Sequence, residues 1–427
     1  MDNGKLTNDN SQLKKGATLS LPKGYKNTEI GVIPEEWEVK RFTEIAELKH
    51  GFQFMEEHFS KNGIGVIKIG NLNNSAGLEL NKLTYIPSEL FTTFKNFKLN
   101  KGDILMALTG ATLGKVARVD TDRILLQNYR VGNFIPNSKI IKDYLYHISQ
   151  SFLIQKTVKF LVNEAAQPNL GKADFYSIQI PLPPLTEQTA IATVLSDTDA
   201  LIQTLEKKIA KKQLIKKGAM QTLLSPKQGW EEKLLPKVCW FQEGPGLRNW
   251  QFTKKGMKVI NVTNLVNGYL NLDRTDRHIS MQEFEKMYKH FEIDDKDIVM
   301  ASSGNSYSKV AVVRKQDLRL LMNTSVIRFK PINGLDYNYL LIFLKSNRFK
   351  EQIDLMITGG AQPNFGPFHL NKIVMPLPPT KEEQIEIAQI LSDMDAEIEM
   401  LQKKLAKYKL VKQGLMQVLL TGKIRLV

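Results

Sequence analysis

Two long stretches of the chain place apolar residues at heptad spacing, and the sequence Pro-Leu-Pro-Pro precedes each of them. Heptad spacing predicts an α-helix with an apolar seam, and adjacent prolines predict extended chain before it. With about 30 residues at 1.5 Å each, we expect two rods of roughly 45 Å. The seam positions are Leu195, Ile202, Leu205 and Ile209 in the first stretch, and Leu391, Ile398, Leu401, Leu405 and Tyr408 in the second.

The two seams share a phase, which predicts that the helices pack on each other as an antiparallel coiled coil. Glu187 and Glu383 lie near the two helix starts, where a negative charge favours the helix dipole. Such a pair is often only a hairpin that holds two domains together. Because a globular segment precedes each helix, we favour a spacer of fixed length between two binding units.

The helices belong to a longer internal repeat. Residues 180–184 open a segment that returns at 375–379, about 195 residues later, and both copies continue through Glu-Gln, Leu-Ser-Asp, Asp-Ala and Gly-x-Met-Gln. This period far exceeds the roughly 20 to 50 residues of solenoid repeats. Each copy is therefore predicted to be a whole domain plus a helix, and the chain to be pseudo-two-fold.

The globular halves repeat a strand pattern as well. Residues 102–110 align with 296–304, and each predicts two antiparallel strands joined by a polar, glycine-bearing loop. Residues 140–161 and 337–356 have helical length and periodicity. Each half is thus predicted to be α+β, with loops that differ between the halves. We divide the chain into a leader expected to be disordered at 1–23, a first domain at 24–184, a first long helix at 185–226, a second domain at 227–379 and a second long helix at 380–427.

The composition of the chain indicates what kind of partner it binds and in which cellular compartment it is found. A formal charge of +15 favours an acidic polymer over a generic basic surface, and charge alone does not choose DNA over RNA. The single Cys239 excludes a disulfide framework, and no apolar run approaches the length of a membrane span. The sequence therefore predicts a soluble, cytoplasmic protein that binds nucleic acid.

The order and spacing of these motifs resemble a known family. The segment 25–39, both Pro-Leu-Pro-Pro and Glu-Gln helices, and Leu-Leu-Thr-Gly-Lys at 419–423 resemble specificity subunits of type I restriction-modification systems. The resemblance implies two target-recognition domains, each recognising half of a bipartite, asymmetric DNA site. It also implies docking of two modification subunits that use S-adenosylmethionine, and restriction subunits that use ATP and Mg²⁺. The lead-in to the second domain at 229–231 is shorter than the first.

Motifs for catalysis are missing from the sequence. Residues 110–116 superficially resemble a phosphate loop, but only three residues separate the glycines and valine follows the lysine. No S-adenosylmethionine motif occurs, and the six histidines have no metal-ligand spacing. We predict a non-catalytic chain without a cofactor or metal of its own.

Recognition of bases requires side chains that offer paired donors and acceptors to base edges. Polar residues near the loops of each half meet this requirement. The first-half candidates are Lys68, Asn71, Asn73, Thr109, Lys115, Gln127, Asn128 and Arg130, and the second-half candidates are Asn261, Asn264, Ser302, Ser303, Asn305, Lys309, Asn323 and Arg328.

Gln167 with Asn169 and Gln362 with Asn364 are identical in the two halves, which predicts a shared task. That task is either phosphate positioning or bracing of the loop, and we favour bracing. Trp37 aligns with Trp230 in the repeat, and we interpret both as core anchors. An alternative for the whole chain is a basic scaffold or decoy that binds methyltransferase subunits without sequence-specific DNA recognition. A standalone nuclease or methyltransferase is the weaker third hypothesis.

Overall fold

The computed structural model describes residues 21–73, 76–162, 169–357 and 363–426. The chain forms two compact units: unit 1 is Met1–Thr204 with Leu405–Val427, and unit 2 is Leu205–Lys404. Most of the predicted leader lies outside the described residues. Each unit therefore combines one globular domain with segments of both long helices.

Unit 1 contains two four-stranded sheets. The first is antiparallel throughout, in the order Ala46–His50, Val131–Pro136, Ile104–Ala107, Val116–Arg118. The second has the order Thr84–Ile86, Ile64–Ile67, Leu125–Gln127, Lys98–Leu99, and its central pair is parallel. Two-stranded sheets pair Tyr25–Thr28 with Gly31–Pro34 and Glu38–Arg41 with Gln179–Leu182. The domain helices are Phe91–Phe94, Lys142–Ser149, Phe152–Val162 and Lys172–Tyr176.

Unit 2 repeats the main topology, with a fifth strand at one edge of its mixed sheet. Its antiparallel sheet has the order Cys239–Glu243, Val326–Pro331, Ile298–Ala301, Val310–Val312. Its mixed sheet has the order Phe252–Thr253, His278–Ile279, Met257–Ile260, Leu320–Met322, Glu292–Ile293. Two-stranded sheets pair Glu231–Leu234 with Val374–Leu377 and Leu265–Val266 with Tyr269–Leu270. The domain helices are Met281–Glu283, which continues as a π-helical turn at Phe284–Tyr288, and Tyr337–Lys345, Asn347–Met356 and Pro367–Leu370.

These sheets and helices confirm the predicted α+β class. The strand pairs joined by a glycine-bearing loop are present in both units. Each predicted helical segment is in fact two helices, because residues 150–151 and Ser346 interrupt it. The first proline and the leucine of each motif end a strand of a two-stranded sheet, where a missing amide donor is tolerated.

The long helices span Leu185–Leu223 and Lys381–Leu419. Each has 39 residues, so each is about 58 Å long and exceeds the predicted rod. Within unit 2 the helices run antiparallel, because Lys212 bonds to Glu397 while Lys216 bonds to Asp395. None of the helices in the described residues has both the length and the apolar character to cross a membrane.

The long helices are part of the domain cores. In unit 1, Ile191 and Leu195 of the first helix and Leu419 of the second join the buried cluster around Phe134. The corresponding cluster of unit 2 includes Leu391 of the second helix and Leu224, which follows the first helix. The predicted seam positions are buried except Leu405 and Tyr408, which are half-buried. Each helix is thus anchored by apolar packing at its domain.

Candidate nucleic-acid interface

The repeated Glu-Gln pair fixes the start of each long helix on its domain. Gln188 is buried, and its Oε1 accepts a hydrogen bond from the amide of Ile141 at 2.8 Å while its Nε2 donates to Pro183 O at 2.9 Å. Gln384 repeats the first of these contacts by accepting from the amide of Asp336 at 2.9 Å. This glutamine therefore joins the helix to the domain helices in both units.

Glu187, at the same helix start, binds the C-terminal segment of the described chain. Its Oε1 accepts from Arg425 Nε at 2.7 Å and from the amide of Leu426 at 3.3 Å. Burial raises the pKa of Glu187, but the hydrogen bonds from Arg425 and Trp37 outweigh it, so its pKa lies below the ordinary value. The charged carboxylate is thus a stable part of unit 1.

A buried polar group lies where the helix pair of unit 1 meets its domain. Asp199 forms an ion pair with Lys412 at 2.6 Å, and the Nδ1 of His147 lies 3.9 Å from Asp199. His147 Nε2 lies 3.0 Å from Ser196 Oγ. Burial, together with the charges of Lys412 and Arg118, lowers the pKa of His147 from 6.5 to about 3, so this imidazole is neutral.

A polar, glycine-bearing loop joins two antiparallel strands in each domain. Gly110 and Gly304 have φ of +70° and +67°, in the left-handed region that favours glycine. In unit 1 the loop contains one 3-10 turn, Gly110–Thr112, and leads from one strand to its antiparallel partner instead of into an α-helix. This arrangement differs from that of a phosphate loop, which opens a helix.

The repeated asparagines pair with these loops through the backbone. Asn169 forms an antiparallel bridge with Thr109, and Asn364 forms the same bridge with Ser303. The amide of Leu170 donates to Leu108 O at 2.9 Å. These contacts favour the bracing role for the asparagines, while both side chains remain exposed. Gln167 and Gln362 lie outside the described residues.

A cleft of about 600 Å³ opens beside the braced loop of unit 1. Three predicted contact residues, Thr109, Arg130 and Asn169, line it together with His50 and Tyr129. The structure thus brings together candidates that lie up to 60 residues apart in the sequence. Two of them, Arg130 and Asn169, are exposed and offer the paired donors and acceptors that recognition of a base edge requires, whereas the hydroxyl of Thr109 is buried.

The comparisons with known proteins agree with this duplicated arrangement. The family model described as "Type I restriction modification DNA specificity domain" matches residues 34–214 and again 227–409. The chain belongs to this family. The two matches follow the internal repeat, so each copy is one specificity domain.

Relatives and solved structures cover almost the whole chain. The chain is 28% identical to the putative type I restriction enzyme MjaX specificity subunit of Methanocaldococcus jannaschii, over 94% of this chain and 96% of that one. It is 22% identical to the EcoKI specificity subunit of Escherichia coli K12, over 88% and 85%. The fold is similar to the crystal structure of the S subunit from M. genitalium, with a TM-score of 0.57, 16% identity and coverage of 90% and 96%.

Eighteen of the twenty predicted contact residues of this specificity-domain protein are described. They differ in how far their side chains reach solvent. Exposed residues are Arg130, Asn169, Asn305, Lys309 and Asn364; half-buried residues are Lys68, Asn73, Thr109, Lys115, Asn261, Ser303 and Asn323; buried residues are Asn71, Gln127, Asn128, Asn264, Ser302 and Arg328.

The six buried residues correct our expectation, because a buried side chain cannot reach a base edge. Asn71 and Asn264 each hold the turn after a strand: their Oδ1 atoms accept from the amides of Lys68 and Asn261 at 2.9 Å. Gln127 Nε2 donates to two backbone carbonyls at 2.7 and 2.8 Å. Asn128 and Ser302 are buried among strand ends. We therefore assign these five to the scaffold.

Arg328 is the sixth, and it belongs to a site that sequence reasoning missed. Its Nη1 lies 3.4 Å from the buried Asp297, and its Nη2 donates to His290 O at 3.0 Å. In unit 1 the corresponding buried carboxylate is Asp103, which accepts from Asn133 Nδ2 at 3.0 Å. The sequence did contain a signal for this site, because Asp103 and Asp297 recur at the same place in the repeat. A buried aspartate is rare unless it is paired.

The half-buried Lys68 lies over the ring of Phe59, with Nζ 3.9 Å from the ring centroid. Burial lowers the pKa of Lys68. Among the described residues, no group of three or more His, Cys, Asp or Glu side chains is arranged to hold a metal ion. The described candidate residues offer hydrogen-bond donors and acceptors and, at Lys68, Lys115, Arg130 and Lys309, positive charge.

Proposed function

We propose that this chain is the DNA-recognition subunit of a type I restriction-modification complex, in which unit 1 and unit 2 bind two different halves of one bipartite site. The observation that supports this most directly is the repeated scaffold with unlike side chains. Buried contacts such as those of Asn71 and Asn264 are the same in both units, whereas corresponding positions outside the core differ, as the exposed Arg130 and the half-buried Ser325 do. A shared frame with different exposed groups suits two related but unequal targets.

The two long helices supply the spacing between the half-sites in this proposal. Each helix is continuous over 39 residues and is anchored in a domain core by buried leucines such as Leu195 and Leu391. An α-helix rises by about 1.5 Å per residue, so the number of residues sets its length. The gap in the DNA site is therefore expected to follow helix length.

Two modification subunits dock on the helices, in keeping with the family. Apolar side chains on the helices, such as Leu214 at 71% and Leu410 at 69% exposure, lie free of the described chain and suit a protein partner. S-adenosylmethionine, and the ATP and Mg²⁺ of the restriction subunits, belong to those partners in this proposal. The chain itself supplies recognition and no catalysis, and it acts in the cytoplasm.

Selection from random DNA tests the proposal. The full chain is purified with its methyltransferase partners, and the bound sequences are determined. We expect two unlike short half-sites at a fixed separation. Insertion of matched heptads into both helices should widen the separation and leave both half-sites unchanged. A single continuous motif contradicts two recognition units. Salt-sensitive binding without any sequence preference favours the scaffold or decoy instead.

A further inference from the structure

Each unit contains one short turn that leads from the mixed sheet into the antiparallel sheet. In unit 1 this turn follows the strand Leu125–Gln127. The amide of Asn128 donates to Ile67 O at 3.1 Å, and the amide of Val131 donates back to Asn128 O at 3.0 Å. The carbonyl of Arg130 accepts from the amide of Leu108 at 3.0 Å. The backbone of this turn is therefore held at three points.

Unit 2 builds the same turn after the strand Leu320–Met322. The amide of Asn323 donates to Ile260 O at 3.0 Å, and the amide of Val326 donates to Asn323 O at 2.9 Å. The carbonyl of Ser325 accepts from the amide of Ser302 at 2.9 Å. All three hydrogen bonds have a counterpart in unit 1, so the two turns share one backbone design.

A glycine on the neighbouring segment fits each turn into place. A Cβ atom on Gly51 would lie 2.1 Å from Gln127 O, and one on Gly244 would lie 2.3 Å from Asn323 O. Contacts this close exclude any side chain at those positions. In both units the glycine segment therefore lies directly against the backbone of the turn. The side chains at the tip of the turn differ between the units.

At the tip of the turn in unit 1, Tyr129 holds the guanidinium group of Arg130 in a fixed orientation. Arg130 is exposed, its Nε donates to Tyr129 Oη at 2.7 Å, and its guanidinium carbon lies 5.2 Å from the centroid of the Tyr129 ring. The two Nη groups form no hydrogen bond with the described residues. In unit 2 the tip residues are Thr324 and Ser325, which carry no cation.

The surroundings of Arg130 suit a base edge better than an ion pair. Arg130 lines the 600 Å³ cleft with Thr109, Asn169 and His50, which are uncharged or weakly basic side chains. No carboxylate belongs to the lining that is described for this cleft. Paired guanidinium donors match the O6 and N7 acceptors that guanine presents in the major groove.

We propose that Arg130 recognises a guanine in the half-site that unit 1 binds. The inference rests on the proposed function, because it requires unit 1 to contact bases. Tyr129 holds the guanidinium plane, and the Nη donors pair with the guanine. Ser325 has no such paired donors, so unit 2 does not recognise guanine at the corresponding position.

The test compares the wild-type chain with R130A and R130K, each purified with its methyltransferase partners. Selection from random DNA gives the preferred sequence of each complex. For R130A we expect one guanine position in one half-site to lose its preference about tenfold or more, with the other half-site unchanged. R130K should lose most of this preference as well, because an ammonium group cannot form the paired contact.

A second measurement assigns the contact to guanine N7. Replacing the guanine with 7-deazaguanine removes the N7 acceptor, so it should weaken the wild-type complex and leave R130A unaffected. R123A, which removes an exposed arginine from another loop of unit 1, is the matched control and should keep the wild-type preference. Thermal melting confirms that each variant folds.

The outcomes are distinguishable. If the wild-type complex selects no sequence, the proposed function fails and this inference fails with it. If the wild type selects a bipartite site but R130A keeps every preference, the role of Arg130 is overturned while the proposed function stands. The same holds if neither half-site contains a guanine that responds to R130A.

Discussion

The indole Nε1 of Trp37 donates a hydrogen bond to the carboxylate of Glu187 at 2.8 Å. In unit 2, Trp230 repeats the contact with Glu383 at 3.2 Å. Trp37 and Glu187 are buried, whereas the Glu383 side chain is 31% exposed. The same pair thus lies in a dry environment in one unit and in a wetter one in the other, and the contact should be stronger in the dry one.

Replacement of Glu187 by alanine should destabilise unit 1 strongly. The substitution leaves the Trp37 Nε1 and the Arg425 Nε without their acceptor, while Arg425 Nη2 keeps its ion pair with Glu36 at 2.8 Å. Removing one partner of a buried charged pair costs about 3 kcal/mol. Urea denaturation of the full chain measures the loss.

The matched control is E383A. Its carboxylate is partly solvated, so the expected loss is about 1 kcal/mol. Equal losses for E187A and E383A would show that burial does not set the strength of this pair.

The buried His147 should make stability depend on pH in the mildly acidic range. Its pKa is lowered from 6.5 to about 3, so below pH 6.5 the unfolded chain binds a proton that the folded chain does not. The stabilisation is complete above pH 6.5 and is lost as the pH falls toward 3. The expected slope is about 0.7 kcal/mol per pH unit at pH 6.5, where half of the unfolded chains are protonated, and it approaches about 1.4 kcal/mol per pH unit near pH 5.

Urea denaturation at several pH values tests this slope. H147Q should be less stable at pH 7 because it loses buried packing, and its stability should vary less between pH 5 and 6.5. H290Q replaces an exposed histidine and serves as the control. A profile that is the same for H147Q and the wild type contradicts the prediction.

Asp199 and Lys412 should be energetically coupled. They form an ion pair at 2.6 Å, and their side chains are only 19% and 18% exposed. A double-mutant cycle with D199N and K412M should give a coupling energy of about 2 kcal/mol, because screening is weak at this burial.

The exposed pair of Lys403 and Glu399, at 76% and 54%, provides a control cycle within the second long helix. Its coupling is expected to be below about 0.5 kcal/mol. Coupling of the Asp199 pair that falls to the same level would mean that the helix contact in unit 1 does not depend on this ion pair.

Lys309 should contribute to DNA affinity without contributing to sequence choice. It is exposed in unit 2, its Nζ donates to Ser306 Oγ at 3.2 Å, and it has no carboxylate partner among the described residues. K309A is expected to weaken binding equally for all sequences and to lower the slope of log affinity against log salt by about 1. Titrations at several salt concentrations measure this slope.

The control for K309A is K315A, which removes an exposed lysine from a different loop of unit 2. A loss of affinity for one sequence only would instead make Lys309 a base contact. An unchanged salt slope would exclude Lys309 from the interface.

Local patterns were sufficient to predict the repeat, the long helices and the strand pairs. The heptad positions Leu195 and Leu391 follow from spacing alone, and both are fully buried. The predicted bounds 185–226 and 380–427 contain both helices, whereas the predicted rod of about 30 residues was shorter than the 39 residues observed.

The candidate site was predicted less completely, since polar residues serve recognition and structure with the same atoms. Gln127 and Arg328 both have side chains suited to base edges, yet their partners, Lys49 O and Asp297, come from distant strands. Arg130 follows Gln127 by three residues and is exposed. Only the three-dimensional pairing separates these roles.

Unit 1 is made of two segments that are far apart in the sequence, and this affects the order of folding during synthesis. Unit 2 is one continuous segment, so its core can close as soon as that segment leaves the ribosome. The core of unit 1 needs Leu419, which is synthesised more than 200 residues after Leu195. We therefore expect the first domain to be made to be the last to complete its core.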